Sequence, residues 1–463
     1  MNPETQKINL KEKIAYGFGD FASSMFWKLF SIFLLFFYTD VFGISAAAVG
    51  TMFLMVRIWD ALNDPMMGVI ADRTTSRWGK FRPLLLYGAV PFAIIGILTF
   101  TTPGLSATGK LIYAYVTYTL MMMVYTFVNV PYGALMAVMS RSSEERTSLA
   151  SWRFIGAFSG GLFVTASASS LVEYFSKETD QATGFQLTIA IYSVLAAVLF
   201  VLTFLWTRER LSPPKEIRSR LIDDLKDLVK NGPWFIMLGA NISILIFTTL
   251  REGSLLYYFK YFVKEQPFTL FGQTYQLSDT VLSSLYLSIW LAANIVGVIL
   301  AKPIAAKLGK KNTFSWAALI SAFLSAVFFF IQADQIVMIF GLNVLMGISA
   351  GIILPIGWSI YADIADYSEW KTGRRATGLV FSSSSMSQKF GWTIGGAFSG
   401  WLLAAFGYEA NVEQSEQALL GIRLMVSVIA AAGALGSFAF MRFYMLDESY
   451  MKKVKSELDS SLG

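Results

Sequence analysis

Residues 68–83 read Gly68-Val69-Ile70-Ala71-Asp72-Arg73-Thr74-Thr75-Ser76-Arg77-Trp78-Gly79-Lys80-Phe81-Arg82-Pro83. The segment is a short basic turn set between two mainly apolar stretches, residues 45–71 and 83–104. Each stretch is long enough to cross a bilayer, which takes about 20 residues of helix. A second basic turn, Lys302 to Lys307 followed by Gly309-Lys310-Lys311-Asn312, occupies the matching place after the eighth apolar stretch. A turn repeated at equivalent positions in two halves is the weak internal symmetry of a carrier built from repeats.

Along the whole chain, apolar spans fall at 15–41, 45–71, 83–104, 110–139, 143–173, 184–207, 234–262, 279–305, 314–332, 336–361, 377–405 and 416–444. The composition agrees: of 463 residues 55% are hydrophobic and only 15% charged, against roughly 25% charged in a soluble domain. Mean hydropathy is +0.54. The expected fold is all-α and polytopic, with about twelve transmembrane helices in two pseudo-symmetric six-helix halves. The net charge of +6 lies in short runs between spans, so it serves topology and implies no nucleic-acid partner. There is no cysteine and no histidine, which excludes disulfides, thiol chemistry and His-based relays or zinc sites.

Lysine and arginine gather in alternate loops, at Lys7 to Lys13, Arg73 to Arg82, Arg208 to Lys230, Lys302 to Lys311, Lys371 to Arg375 and the tail. The positive-inside rule then places both termini in the cytoplasm of a multi-pass plasma (inner) membrane protein. The stretch 208–232, with Pro213 and Pro214, reads as a linker. Expected units are 1–207, the linker, 233–446 and a cytoplasmic tail 447–463. Within the linker, 217–229 is amphipathic and suits a helix on the membrane surface.

The basic loop resembles the signature of the major facilitator superfamily. Tyr16-Gly17-Phe18-Gly19-Asp20, Tyr38-Thr39-Asp40, Arg57 to Pro65, Asn129-Val130-Pro131-Tyr132-Gly133 and Ala362 to Tyr367 resemble, in collinear order, the glycoside–pentoside–hexuronide:cation symporters. That resemblance implies uptake of a sugar or glycoside coupled to Na⁺ or H⁺ by rocking of two half-bundles, with no cofactor and a monomer sufficing. The alternative is a proton-coupled carrier of a non-sugar solute such as a drug or lysolipid. A membrane enzyme is disfavoured because no loop domain or metal motif is present, and a channel because nothing resembles a selectivity filter.

Asp60, Asn63 and Asp64 share one face of the second span, with Arg57 one turn earlier. Carboxylates in a bilayer need compensation, and such groups are functional by default. The three positions match the family's cation site, where Na⁺ or a proton would bind. The competing reading is Asp64 at a kink before Pro65, paired with Arg57. Asn129 stands where the melibiose branch has a third carboxylate. Its amide can ligate Na⁺ but takes up no proton.

Substrate contacts are expected from Asp20, Ser24 and Lys28 on one face of the first span, and from Tyr125 and Thr126 in the fourth. The fifth span contributes Arg153, whose helix starts at the capping signal Ser142 and Glu145. Arg251 is a candidate on cost alone; Ser385 and Lys389 follow a serine run in the eleventh span. Competing readings are an Arg153 ion pair with a second-span aspartate, a Lys28–Asp20 pair, and serines that serve helix packing. Asp72, Arg73, Arg77, Lys80, Arg82, Asp363, Asp366 and Glu369 are expected to form a cytoplasmic gate, pairing across the halves.

Overall fold

The computed structural model describes residues 7–74, 76–140, 143–210, 231–270, 273–372 and 377–462. Within the helices and strands, the side chains of 61, 62, 64, 65, 68, 69, 71–73, 137, 143, 144, 146, 147, 268–270, 273, 274, 372, 377–386, 455 and 458–462 are outside that description. The side chains of Asp64, Asp72, Arg73 and Ser385, together with Ser142 and the segment 217–229, therefore lie outside the described residues. The chain divides into two compact units, Met1–Lys215 with Glu409–Val412, and Glu216–Tyr408 with Glu413–Gly463.

The first unit contains α1 (Leu10–Leu29), α2 (Ala46–Arg73), α3 (Arg82–Thr99), α4 (Ala107–Met139), α5 (Ser143–Ser176) and α6 (Gln181–Trp206). Polar caps start three of them: Asn9 accepts from Glu12 N–H, Ser106 from Gly109 N–H and Asp180 from Thr183 N–H, each satisfying a backbone donor the helix cannot. α1 continues through two π-helical turns, Phe30–Leu34 and Phe37–Val41. There Thr39 Oγ1 bonds the Leu35 and Phe36 carbonyls, and Phe37 packs on Phe100 and Phe185 with centroids 4.9 and 5.5 Å away.

Small residues bring α1 and α5 together. A Cβ on Gly156 would overlap the Gly17 carbonyl, and one on Gly160 the Phe21 carbonyl. Backbones in lipid approach this closely only across small residues, since apolar side chains gain little by leaving lipid tails. That contact fixes which residues of α1 and α5 face each other.

The second unit contains α7 (Gly232–Tyr257, continuing as a π turn Tyr258–Val263), β1 (Gln266–Leu270), β2 (Gln273–Leu277), α8 (Asp279–Leu308), α9 (Lys310–Phe328), α10 (Ile336–Thr372), α11 (Thr377–Ala405), α12 (Glu416–Val426), α13 (Val428–Arg442) and α14 (Glu448–Leu462). The last apolar span is thus two helices, broken at Ser427 (φ −126°, ψ −96°). β1 and β2 form an antiparallel hairpin with Gln266 opposite Leu277 and Leu270 opposite Gln273, an element outside the twelve-span reading. The two residues between the strands, Phe271-Gly272, are the available signal. α10 runs to Thr372, beyond the expected 361, because its polar last turns stay helical past the apolar stretch. α14 docks on α10, with Trp370 Nε1 donating to Glu457 at 2.7 Å.

Among the described residues eight helices are long and apolar enough to cross a membrane by length and composition. α1, α2, α9 and α11 complete twelve. α1 and α2 carry intramembrane charges such as Lys28, Arg57 and Asp60. Ile299 (69% exposed), Phe323 (66%), Val90 (60%) and Ile112 (59%) belong to the apolar surface such helices turn to lipid.

Candidate functional site

In the first unit the expected first-span stripe forms an accessible face. Asp20, Ser24, Trp27, Lys28 and Ser31 are each partly exposed, while Ala22, Ser23, Met25, Phe26, Leu29 and Phe30 between them are buried. A 3.6-residue period explains the separation.

Arg153 reaches this stripe across the tight α1–α5 contact. Its Nε donates to Asp20 Oδ2 at 2.6 Å, and Nη2 to Oδ1 at 3.4 Å. The ion pair expected with the second span is therefore made with the first instead, because Gly17, Gly156 and Gly160 set α5 against α1. The guanidinium also lies 5.1 Å from the Tyr132 ring centroid. Tyr132 stacks on Tyr16 (4.8 Å) and donates to the Tyr16 carbonyl at 2.6 Å. Tyr132 was not among the expected site residues, although it stands in the Asn129 to Gly133 segment. The Arg153 side chain is 33% exposed, and Tyr16 is a further hydrogen-bonding neighbour of the guanidinium.

Asp60 is 3% exposed. Thr126 Oγ1 donates to its Oδ1 at 3.1 Å, and Arg57 Nη1 lies 3.7 Å from Oδ2. Arg57 itself sits over the Trp27 ring at 4.4 Å, and Trp27 is 5.7 Å from Tyr125. Arg57 is thus paired with Asp60, one turn along; the competing sequence reading, a pair with Asp64, falls on a side chain outside the described residues. Asn63 is 1% exposed, and among the described residues neither its amide oxygen nor its nitrogen has a hydrogen-bond partner. Leaving such a group unsatisfied costs roughly 1–3 kcal/mol. Asn129 Nδ2 donates to the Tyr125 carbonyl at 3.0 Å, which orients the side chain and leaves Oδ1 available as a ligand atom.

The basic turn is anchored within its own unit. Glu209 accepts from the backbone N–H groups of Lys80, Phe81 and Arg82, each at 2.8 Å, and Arg82 Nη2 donates to the Phe204 carbonyl at 2.6 Å. Gly79, at φ +115°, leaves room for that carboxylate. Glu209 was not expected as a partner; a lone acid between Arg208 and Arg210 was the available signal. Arg77 lies over the Trp78 ring at 4.6 Å. In the second unit Lys310 Nζ bonds Asp363 Oδ2 at 2.5 Å. These bonds to Arg82 and Asp363 therefore fall inside their own halves.

Lys389 is partly exposed, whereas Ser387 is fully buried, accepting from Asn241 Nδ2 at 2.6 Å. Arg251 departs from expectation. It is 4% exposed; Nη1 donates to Ser325 Oγ at 3.1 Å and to the Val426 carbonyl, and Nη2 to Tyr286 Oη. Ser325 Oγ in turn donates to the Ser427 carbonyl at 3.0 Å. The α12–α13 break frees carbonyls in the apolar interior, and Arg251 with Ser325 satisfies them. Faces of Phe328, Phe247 and Trp290, 5.3–5.8 Å away, enclose the charge. Arg251 is a brace inside its own half, not a group held out to substrate. Arg251→Met is expected to cost about 2–4 kcal/mol, two or more charged hydrogen bonds, and to lower the unfolding midpoint while substrate affinity holds. Weakened affinity at an unchanged midpoint would return Arg251 to the binding site.

A charged stripe with aromatic neighbours and a buried carboxylate beside an amide unsatisfied among the described residues provides a binding surface. Residues 15–448 match the MFS/sugar transport protein family model. The chain belongs to that family. It is 36% identical over 457 residues to the inner membrane symporter YicJ of Escherichia coli (strain K12), covering 98% of this chain and 96% of that one. It is 35% identical over 441 residues to the isoprimeverose transporter of Lactiplantibacillus pentosus, covering 94% and 89%. Among solved structures, a mutant of the nucleoside transporter NupG superposes with a TM-score of 0.68 at 13% identity, covering 94% of this chain and all of that one. The fold is the twelve-helix fold of the major facilitator superfamily, and the protein is a membrane transporter, not an enzyme.

Proposed function

We propose that the chain carries a sugar or glycoside across the inner membrane in symport with Na⁺ or H⁺, with both termini in the cytoplasm. The observation that carries this reading is the pair formed by Asp60, a carboxylate buried in an apolar helix, and Asn63, buried with both amide atoms unsatisfied among the described residues. A carboxylate in this position needs positive charge. Arg57, at 3.7 Å from one oxygen, supplies part of it, and a coupling cation would supply the rest. For Na⁺ the ligands are oxygens of Asp60, Asn63 and Asn129, with Asp64 one turn further along the same face. For H⁺ the acceptor is a carboxylate, because neither amide takes up a proton.

Sugar recognition falls to Asp20, Ser24, Lys28, Tyr125 and Arg153 in the first half and to Lys389 with Ser385 in the second. Tyr125 and Trp27 offer ring faces for sugar C–H groups, and the charged groups offer forked hydrogen bonds to hydroxyls or a uronate. Thr126, expected at the sugar, belongs with the cation residues because its hydroxyl is given to Asp60.

The test is uptake of labelled glycosides, pentosides and uronides into proteoliposomes under separately imposed Na⁺ and proton gradients. Accumulation of one class under one gradient is the expected result and names the ion. If none of the sugars accumulates under either gradient, the symport reading fails.

A further inference from the structure

At the lysine-rich end of the second unit a cavity of about 940 Å³ lies between α8, α9, α10 and the start of α14. Five lysines line it, Lys302, Lys307, Lys310, Lys311 and Lys452, against two acids, Asp447 and Glu448. Both acids are engaged. Glu448 Oε1 accepts the Lys310 backbone N–H at 3.1 Å, and Asp447 accepts from Ser449 Oγ and Tyr450 N–H at 2.7 and 2.8 Å. Lys310 is held by Asp363. Lys302, Lys307, Lys311 and Lys452 form no ion pair within 4 Å among the described residues, although Lys311 lies close enough to Asp447 for their charges to interact, so five lysines face two acids around one space.

Val298, Ala301, Pro355 and Ile356 add apolar lining. It runs into exposed apolar surface: Ile295, Val296 and Ile299 on α8 are 38%, 45% and 69% exposed, and Leu354 and Trp358 on α10 are 46% and 39% exposed. Ile299 precedes Lys302 by one turn on the same face, so an acyl chain lying on α8 leads into the lysines. A soluble anion would need the cations but not this lining. A zwitterionic lipid would need the lining but not the excess charge.

We propose that this pocket binds the headgroup of an anionic phospholipid, its phosphate among Lys302, Lys307, Lys311 and Lys452 and one acyl chain along α8. Basic pockets between transmembrane helices hold such headgroups because the charges act at the edge of low dielectric. The proposal rests on the chain spanning a membrane and is independent of which solute it carries.

The test titrates the purified full chain in detergent with dioctanoyl phosphatidylglycerol, dioctanoyl phosphatidylcholine and inorganic phosphate, reading retained adducts by native mass spectrometry and the unfolding midpoint. Phosphatidylglycerol is expected to stay bound and raise the midpoint, with affinity falling roughly fivefold per lysine removed in Lys307→Gln and Lys452→Gln and largely kept in Lys307→Arg. Equal retention of phosphatidylcholine would overturn the proposal. So would equal protection by inorganic phosphate, which would mark a free-anion site, or wild-type affinity in both glutamine variants. Sugar uptake enters none of these readouts, so loss of the symport reading leaves this result standing, and the reverse.

Discussion

Asp60→Asn is expected to abolish gradient-driven sugar accumulation while leaving a folded protein. The amide still accepts a hydrogen bond from Thr126, now 3.1 Å from Oδ1, so the local packing of α2 on α4 survives. What disappears is the charge. A cation about 4 Å from a carboxylate gains on the order of 4 kcal/mol at an effective dielectric of 20, about a thousandfold in affinity. Arg57 makes the loss worse, because its side chain is only 10% exposed and, without Asp60, presents an unmatched positive charge to the incoming ion. The measurement is uptake in proteoliposomes under the productive gradient, beside equilibrium exchange of labelled for unlabelled sugar with no gradient. Exchange needs the sugar site but no net ion work, so it should persist at reduced affinity while accumulation falls to background. Accumulation at the wild-type level in Asp60→Asn would remove Asp60 from the coupling site.

The fold was legible because its determinants are one-dimensional. Bilayer thickness sets the span length, loop lysines set the expected sidedness, and polar caps such as Asn9, Ser106 and Asp180 mark helix starts. The α5 start at Ser143 was readable for the same reason. What escaped depends on contacts between spans. The break at Ser427 has no local proline or glycine to announce it; it exists because Arg251 and Ser325, far away in sequence, hold the freed carbonyls. Read alone, Arg251 was therefore a costly charge lacking a partner, and the substrate was the nearest explanation. The α1 face was legible from spacing alone, since Asp20, Ser24 and Lys28 repeat at helical intervals. The identity of the Arg153 partner was not, because it depends on how deeply Gly156 and Gly160 let α5 sink against α1. Glu209 shows the same limit: an acid among arginines reads as local charge balance, while its actual partners are backbone N–H groups of a turn distant in sequence.

Arg153→Gln is expected to raise the KM for sugar by about tenfold to a hundredfold, the loss of one or two charge-assisted hydrogen bonds at roughly 1.5–3 kcal/mol each. The geometry divides the guanidinium into two edges. Nε and Nη2 face Asp20, Tyr16 is a further hydrogen-bonding neighbour, and the side chain remains 33% exposed. Asp20 therefore fixes the fork, and the exposed part of the side chain can meet a hydroxyl or a uronate. Asp20→Asn should weaken binding less, because the guanidinium stays and loses only its orientation. The two changes should be strongly non-additive, as residues in one hydrogen-bonded unit are. Arg153→Lys keeps the charge but not the fork, so it should fall between wild type and glutamine. Direct titration of labelled sugar onto purified protein, alongside unfolding midpoints, separates contact from support. If Arg153→Gln binds sugar as wild type does and only its midpoint falls, then the Arg153–Asp20 pair clamps α5 to α1 and the substrate is gripped elsewhere on the stripe, with Lys28 the next residue to change.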